Sequence, residues 1–256
     1  MLQTIDLNIG YDLKVIQRDL NMVAQNGVFI CLLGTNGCGK STLLRTLAGL
    51  QPPLKGRVEV NDIDINAISI DQKAKFLSVV LTDKIDIDNA TIEDIVAFGR
   101  YPYTSYMGQQ SESDRKIVNQ SIQQVGLQGR EKEYFNALSD GERQRVTIAK
   151  ALAQTTDIIL LDEPTAHLDI PNRIKIMLLL RQLAHHRHKT IICSTHDLDI
   201  ALQTADIIWL MQTEQRGIVE GTPEELLNQH TIQQVFSDDT YSLISNDGGV
   251  QIRFNK

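Results

Sequence analysis

The stretch Gly34-Thr35-Asn36-Gly37-Cys38-Gly39-Lys40-Ser41-Thr42 decides how the rest of the chain is interpreted. An apolar run at 28–33 precedes it, and a run typical of a helix, at 43–48, follows it. This order of strand, glycine-rich loop and helix, with the spacing G-x-x-x-x-G-K-[ST], is typical of a phosphate-binding loop, or P-loop. The glycines let backbone N–H groups surround phosphate oxygens, and the helix presents its positive end to the same anion. The sequence therefore predicts a nucleotide site at this loop.

Three side chains of the loop have predicted roles. Lys40 is expected to reach the β- and γ-phosphates of a nucleotide, and the Ser41 hydroxyl is expected to ligate Mg²⁺. Cys38 leaves two interpretations open. Its place near a helix N-terminus favours a thiol of lowered pKa, whereas its small size favours a filler of the loop.

Composition limits the class of protein. The chain has 256 residues, of which 42% are hydrophobic and 22% charged, so we expect one large domain or a domain with an inserted subdomain. The net charge of −7 argues against general affinity for nucleic acid, which needs a basic face. Three cysteines without C-x-x-C spacing favour reduced thiols in the cytoplasm. We identify no signal peptide and no apolar run long enough for a membrane helix, so any membrane association is expected to go through a partner.

Two later apolar runs end in polar side chains. Residues 157–164 are predicted to be a buried parallel strand that ends in Asp162 and Glu163, and residues 190–197 a second one that delivers His196. Removing two carboxylates from water at the end of a core strand costs free energy unless they hold a ligand. Parallel α/β sheets also bind their ligands at the carboxyl ends of their strands. We therefore expect Asp162 to hold Mg²⁺, Glu163 to polarise an attacking water and His196 to sense the γ-phosphate. Taken alone, His196 is also explained as a core or capping residue.

Further elements are predicted from periodicity and capping signals. Residues 91–154 carry helical patterns and are expected to form a subdomain inserted into an α/β core. Strands are predicted at 2–9, 56–65, 76–81 and 206–211, and helices from the P-loop to Gly49, at 171–188 and from Thr222.

Three features have both a structural and a functional interpretation. Ser139 and Glu142 form a capping box, which explains them fully, but Ser139 and Gly141 at a helix N-terminus are also suited to hold a phosphate. Tyr11 either packs at the surface or offers adenine a stacking platform. The tract 185–188, His-His-Arg-His, is explained more simply by cations at a helix C-terminus than by a metal site.

These elements in this order resemble the ATP-binding-cassette (ABC) ATPases over essentially the whole chain. The matching motifs are the P-loop at 34–42, the signature at 138–144, Asp162-Glu163, the segment 166–169 and His196. The resemblance implies an α/β fold with a P-loop (RecA-like) core, a mainly parallel sheet, an antiparallel β arm and an inserted helical subdomain. It divides a single domain into a P-loop core with its arm (1–90), a helical subdomain with the signature (91–154) and the remaining α/β core (155–256).

The resemblance also implies a mechanism. Two copies face head to tail and enclose two molecules of ATP with Mg²⁺, and hydrolysis moves an attached membrane permease. Ser139 and Gly141 of one copy close over the γ-phosphate held by the other, while Asp169 communicates across the interface. Tyr11 stacks on adenine, and Lys40, Glu163 and His196 serve catalysis. The loop residues that bind the nucleotide in this scheme are Gly34, Asn36, Gly37, Cys38, Gly39, Lys40, Ser41 and Thr42.

Gly99-Arg100-Tyr101-Pro102 and the short arm resemble the branch that energises uptake of iron–siderophore complexes, haem or cobalamin. The implied partners are a second copy, a polytopic permease and, indirectly, an external substrate-binding protein, but no nucleic acid. The implied location is the cytoplasmic face of the inner (plasma) membrane, peripheral through the permease. Two alternatives stay open: a soluble ABC ATPase acting on ribosomes or DNA, and a regulatory ATP-binding module with weak hydrolysis.

The chain departs from the family pattern at three positions. Thr82 stands where a glutamine normally contacts Mg²⁺ and the attacking water; its shorter hydroxyl is still a candidate metal ligand. Asp140 replaces a usual glycine of the signature, and Glu142 replaces the commoner glutamine. Both acids are compatible with an intact helix N-terminus, and Glu142 completes the capping box.

Overall fold

The structure is a computed structural model. It describes residues 1–12, 14–82, 87–104, 110–213, 217–237, 241–246 and 249–254. Residues 83–86, next to Thr82, lie outside the described residues.

Strands and helices alternate through most of the described chain. The strands are β1 (Leu2–Tyr11), β2 (Lys14–Leu20), β3 (Val23–Ala24), β4 (Phe29–Leu33), β5 (Lys55–Val60), β6 (Ile63–Asp64), β7 (Leu77–Val80), β8 (Ile158–Asp162), β9 (Thr190–Ser194), β10 (Ile207–Met211), β11 (Ile218–Gly221), β12 (Tyr241–Asn246) and β13 (Gly249–Phe254). The helices are α1 (Lys40–Leu47), α2 (Ile70–Phe76), α3 (Ile92–Ala97), α4 (Glu112–Gln124), α5 (Asp140–Ala153), α6 (Ile170–Arg187), α7 (Leu198–Thr204), α8 (Pro223–Asn228) and α9 (Thr231–Phe236).

A mainly parallel sheet forms the centre of the fold. Its strand order is β11-β10-β4-β9-β8-β7, and every neighbouring pair except β10 with β11 is parallel. Strands β4, β8 and β9 are buried along their whole length, because helices cover both faces. The carboxyl ends of these strands meet at one edge, where the P-loop and the predicted polar side chains follow them.

An antiparallel sheet forms the predicted β arm. It has the strand order β2-β1-β5-β6, and β3 pairs with β1. The prediction of one strand over 56–65 is wrong, because a tight turn divides it into β5 and β6. Asn61 and Asp62 occupy this turn with φ angles of 49° and 63°, a left-handed conformation that asparagine and aspartate tolerate better than most residues.

The predicted helical insert is present at α3, α4 and α5, which pack on one another. A 3₁₀ turn, Phe98–Tyr103, connects α3 to the rest of the insert and carries Arg100. The Arg100 guanidinium is buried; its Nε lies 2.9 Å from a carboxylate oxygen of Asp114, and Nη1 donates to the Ala153 carbonyl oxygen at 2.8 Å. This buried ion pair fixes the turn against α4 and α5.

Among the helices of the described ranges, none has the length and apolar character needed to cross a lipid bilayer.

Candidate functional site

The P-loop geometry depends on glycine at two positions. Gly39, immediately before α1, has a φ of 111°, and a Cβ there would lie 2.6 Å from Cγ2 of Ile16. A Cβ on Gly34 would lie 2.7 Å from the main-chain oxygen of Met211. A side chain at either position would therefore clash or strain the backbone, so the loop keeps the tight curve that a phosphate cradle needs.

Lys40 lies folded into this loop. Its side chain is buried, and Nζ donates to the carbonyl oxygens of Gly34 at 2.9 Å and Thr35 at 3.3 Å. An ammonium in this position places positive charge inside the loop, where a phosphate would be bound. Cys38 is also buried, and burial raises the pKa of its thiol while the nearby Lys40 charge opposes that rise. This favours the filler interpretation of Cys38 over a reactive thiolate.

A chain of hydrogen bonds joins the P-loop helix to the ends of β8 and β9. The Ser41 hydroxyl donates to Oδ1 of Asp162 at 3.1 Å, and the Ser194 hydroxyl donates to the same oxygen at 2.7 Å. The Ser194 hydroxyl in turn accepts the backbone N–H of Glu163 at 2.9 Å. Because Asp162 and Ser194 are directly paired in the parallel register, this contact follows from the sheet itself. Ser41, Asp162 and Glu163 are thereby brought together as predicted.

Glu163 has the backbone conformation of a specialised position. Its φ is 47°, which is uncommon for a residue with a side chain and is often found at active sites. One of its carboxylate oxygens lies 3.7 Å from Nδ1 of His196, so the two side chains are neighbours without a direct hydrogen bond. Both are partly exposed at the sheet edge.

Thr82 lies beside the same strand end. Its hydroxyl donates to the main-chain oxygen of Asp162 at 3.1 Å, so it contacts the backbone of that residue in place of the carboxylate. The predicted role of Thr82 as a metal ligand stays a prediction.

Tyr11 is close to the P-loop. It ends β1, is about half exposed, and its hydroxyl accepts a hydrogen bond from Thr42 at 3.2 Å. The hydroxyl of Tyr11 therefore lies next to the start of α1, and the stacking role of its ring stays a prediction.

The signature stands at the start of α5. Ser139 is the N-cap, and Oε2 of Glu142 accepts its backbone N–H at 2.9 Å and its hydroxyl at 2.8 Å. Arg130 pairs with the other oxygen of Glu142, and this pairing, with the Ser139 bonds, lowers the pKa of Glu142 to about 2. A Cβ on Gly141 would lie 3.0 Å from Cγ of Asn172, which explains the glycine by packing against α6.

Asp169 caps α6, where its carboxylate accepts the backbone N–H of Asn172 at 3.1 Å. Its side chain is exposed. Among the described residues, no hydrogen bond or ion pair joins Ser139 or Gly141 to the P-loop of the same chain. The structure thus brings the predicted residues into two groups: the P-loop with Asp162, Glu163 and His196, and the signature near Asp169.

Sequence reasoning missed three site residues, Ser194, Arg173 and Asp197. Ser194 ends its strand directly opposite Asp162, and polarity at the end of an otherwise apolar strand is a signal that could have identified it. Arg173 and Asp197 form an ion pair between α6 and the residue after His196. This pairing has no sequence signal, since the two residues come from different elements.

The histidine tract at 185–188 has a structural explanation. Nε2 of His185 lies 2.9 Å from a carboxylate oxygen of Asp206, a partner that the sequence pattern did not indicate. In the described ranges, no group of three or more His, Cys, Asp and Glu side chains is arranged to hold a metal ion.

Comparison with known sequences gives a consistent answer. The ABC transporter family matches residues 17–166. An ABC transporter ATP-binding protein of Methanocaldococcus jannaschii is 38% identical, with 92% of this chain and 81% of that protein covered. The achromobactin transport ATP-binding protein of Dickeya dadantii is 38% identical over 91% of this chain and 87% of its own length. The iron(3+)-hydroxamate import ATP-binding protein of Bacillus subtilis is 34% identical, with 96% of this chain and 97% of that protein covered.

Solved structures agree. A metal-chelate type ABC transporter in an inward-facing conformation has a TM-score of 0.82 at 26% identity, with 99% of this chain and 96% of that chain covered. A dimeric ATP-binding cassette in a post-hydrolysis state, bound to ADP and phosphate, has a TM-score of 0.73 at 27% identity, with coverage of 87% and 99%.

Proposed function

This chain belongs to the ABC transporter family, as one of its ATPases, and we propose that it powers a membrane importer by binding and hydrolysing ATP between two copies of itself. The observation that carries this proposal is the hydrogen-bonded chain Ser41–Asp162–Ser194–Glu163. It holds a carboxylate of the strand end against the P-loop helix and sets the next carboxylate beside it. That arrangement suits phosphoryl transfer to water.

In this proposal each side chain of the first group has one task. Lys40 leaves the carbonyl oxygens of its loop to bind the β- and γ-phosphates, and Tyr11 stacks on adenine. Glu163 accepts a proton from the attacking water as general base. His196, at 3.7 Å from Glu163, donates to the γ-phosphate and holds it opposite that water.

The residues at the strand end fit a magnesium ion. Ser41 and Asp162 present a hydroxyl and a carboxylate oxygen 3.1 Å apart, and Mg²⁺ prefers such hard oxygen ligands with the rest of its shell from phosphate and water. When bound, the ion would neutralise charge on the phosphates. Thr82, whose hydroxyl contacts the main chain of Asp162, is a third candidate ligand.

The second group acts on the other copy. Ser139 and Gly141 lie at the N-terminus of α5, where backbone N–H groups favour an anion. Nothing in the described chain joins them to their own P-loop, so the γ-phosphate they close over belongs to the ATP of the partner copy. Asp169, exposed at the start of α6, contacts that partner. The dimeric cassette with ADP and phosphate supports this arrangement by similarity.

In this proposal the chain works as one domain in which residues 1–90 supply the P-loop, residues 91–154 the signature, and residues 155–256 the catalytic strand ends. The partners are a permease, on the cytoplasmic face of the membrane, and indirectly an external substrate-binding protein. The cargo is an iron–siderophore complex, haem or cobalamin. This narrower assignment is supported by the names of the Dickeya and Bacillus relatives and by the Gly99-Arg100-Tyr101-Pro102 motif.

The test is Glu163→Gln. It keeps the size and hydrogen-bonding capacity of the side chain but removes the base, so we expect ATP binding without turnover and a stable ATP-dependent dimer. ATP affinity is measured by calorimetry, turnover by phosphate release and dimer formation by light scattering. Hydrolysis at the wild-type rate would exclude the general-base role. A variant that binds ATP but stays monomeric would exclude the shared site.

A further inference from the structure

Glu142 places a negative charge in the part of the chain that is proposed to close over a γ-phosphate. We propose that Arg130 is the counter-charge of Glu142, a positioning residue that lets this acidic signature close on ATP held by the second copy. The inference rests on the proposed function. It assigns a role to Arg130, which lies outside the matched motifs, and its test can fail while the proposed function still holds.

The contacts of Arg130 show a guanidinium held between two carboxylates. Nη1 contacts Oε1 of Glu142, while Nε and Nη2 lie 2.8 and 2.7 Å from the two carboxylate oxygens of Glu133. Turn hydrogen bonds fix its backbone: its N–H donates to the Leu127 carbonyl oxygen at 3.2 Å, and its own carbonyl oxygen accepts the Glu133 N–H at 3.0 Å. The guanidinium of Arg130 is therefore held in place before any ligand binds.

The need for a counter-charge follows from the chemistry of the site. A carboxylate in the first turn stabilises an isolated helix, but it repels any anion that approaches the same N-terminus. Glu142 cannot relieve this repulsion by taking up a proton near neutral pH, because its pKa is about 2. Only a nearby cation can lower this repulsion, and Arg130 is in contact with Glu142, although it shares its charge with Glu133.

The other first-turn acid shows the contrast. Asp140 is 63% exposed, and its only ion pair among the described residues is to Arg143 at 3.9 Å within the same helix. Water can screen that charge. Glu142 has a side chain that is 30% exposed, with one oxygen on Arg130 and the other on Ser139. Loss of Arg130 would leave this less hydrated charge next to the backbone N–H groups that receive the phosphate.

The experiment is made in the Glu163→Gln chain. Dimer formation is measured by sedimentation as a function of ATP concentration for four further variants: Arg130→Met, Glu142→Gln, the combination of both, and Arg57→Met. Arg57 is the matched control, since it pairs with Glu59 at 2.7 Å on the β arm and its loss removes the same charge.

We expect Arg130→Met to weaken ATP-dependent dimer formation on the order of fivefold or more, since each dimer loses two counter-charges at partly screened sites. Glu142→Gln in the same chain is expected to restore it, and Arg57→Met to leave it unchanged. Urea unfolding of the same variants separates this from a merely structural role, which predicts that the loss of dimer follows a loss of stability of the single chain.

Two results would overturn the inference while the proposed function stands: an Arg130→Met dimer as stable as that of the Glu163→Gln parent, or a double variant no better than Arg130→Met alone. If the parent itself forms no dimer with ATP, the proposed function fails and the inference fails with it.

Discussion

Arg173 and Asp197 join two loops of the site through one ion pair. Nη1 of Arg173 lies 2.7 Å from Oδ1 of Asp197, and its Nε donates to the Leu168 carbonyl oxygen at 2.7 Å. Leu168 precedes Asp169, the proposed contact with the second copy, and Asp197 follows His196. The guanidinium thus joins the loop that is proposed to meet the second copy to the residue after His196, which is proposed to contact the phosphate.

We expect Arg173→Met to lower kcat for ATP hydrolysis about tenfold or more while ATP affinity of the single chain stays unchanged. The lost contacts are charge-assisted and leave Asp197 partly buried without its cation, a cost of about 1–3 kcal/mol, so the loops that carry Asp169 and His196 are no longer held together. Lys40 and Tyr11, which are proposed to bind the nucleotide, share no hydrogen bond or ion pair with Arg173 in the described ranges. Steady-state phosphate release and ATP titration separate the two effects.

Arg181→Met is the control for Arg173→Met, because Arg181 is an exposed arginine of the same helix. An equal loss of activity in both variants would show a general charge effect. A fall in ATP affinity with unchanged kcat would contradict the positioning role.

The second prediction concerns Ser194, whose hydroxyl contacts both Asp162 and Glu163. Ser194→Ala removes a donor to the buried Asp162 carboxylate and an acceptor of the Glu163 N–H. We expect a loss of stability of about 1–3 kcal/mol and a larger fractional loss of hydrolysis, because Glu163, the proposed general base, loses the acceptor of its backbone N–H. Urea unfolding and phosphate release measure the two quantities.

Ser78→Ala is the matched control. Ser78 is buried on β7, and its hydroxyl has no hydrogen-bond partner in the described part of the chain. Its removal should affect hydrolysis little. If Ser194→Ala hydrolyses ATP as fast as Ser78→Ala, the chain of hydrogen bonds at the strand end is not needed for catalysis.

The elements that sequence patterns predicted correctly are those whose signals are local. The P-loop is specified by glycines and a lysine at fixed spacing. The end of its helix is specified by Gly49, which follows α1 with a φ of 64°. The same holds for β8 and β9, since long apolar runs that end in charged residues leave few alternatives. Asp162 and Glu163 could therefore be placed at the sheet edge from the amino-acid pattern alone.

Pairings between distant elements could not be predicted in this way. Arg173 contacts Asp197 only because α6 and the loop after β9 pack together, and Gln17 donates to the Gln212 carbonyl oxygen across 195 residues. The division of 56–65 into two strands was missed for a different reason. Asn61-Asp62 is a weak turn signal, and the alternating apolar residues around it suggested a continuous strand.

The third prediction concerns Thr82. We expect the wild-type chain to hydrolyse ATP at a rate that rises faster than linearly with protein concentration, because a second copy is proposed to complete the site. Thr82→Gln should change that rate by less than about tenfold, since Ser41, Asp162 and Glu163 stay in place. Thr82→Val, which removes the hydrogen bond to the Asp162 main chain but keeps the shape, is the control.

If the wild-type chain did not hydrolyse ATP and Thr82→Gln did, Thr82 would be a residue that inhibits hydrolysis. That result would favour the regulatory alternative. If neither chain hydrolysed ATP, hydrolysis would require the permease.

The fourth prediction concerns the buried pair Arg100–Asp114. Removing the arginine alone leaves a buried carboxylate without its cation and the Ala153 carbonyl oxygen without a donor, so Arg100→Met should lower the free energy of unfolding by about 3–5 kcal/mol. Arg57→Met, which breaks an exposed pair, should leave the free energy of unfolding nearly unchanged. Chemical unfolding followed by the fluorescence of Trp209, the single tryptophan of the chain and fully buried, measures both. Equal costs would show that the Arg100 pair contributes no more than a surface contact.

The fifth prediction concerns acid stability and follows from Glu142. Its pKa in the folded chain is about 2, below the ordinary value of 4.5, because the Arg130 guanidinium and then Ser139 stabilise the carboxylate. A depressed folded-state pKa gives stability that is fully present above about pH 4.5 and is lost as the pH falls toward 2. We expect this contribution to be about 1 kcal/mol once solvent screening of the partly exposed side chain is allowed for.

Glu142→Gln should therefore be less stable than wild type at pH 7, and the difference should shrink steadily between about pH 4.5 and about pH 2.5. The glutamine can still complete the capping box with Ser139, so the fold is retained. The stabilising interaction that is lost is the ion pair with Arg130. Trp209 fluorescence in urea at a series of pH values gives the two stability curves. Glu112→Gln removes the same charge from the first turn of α4 and controls for net charge. A difference between wild type and Glu142→Gln that stays constant down to about pH 2.5 would show that the carboxylate is not held ionised by Arg130.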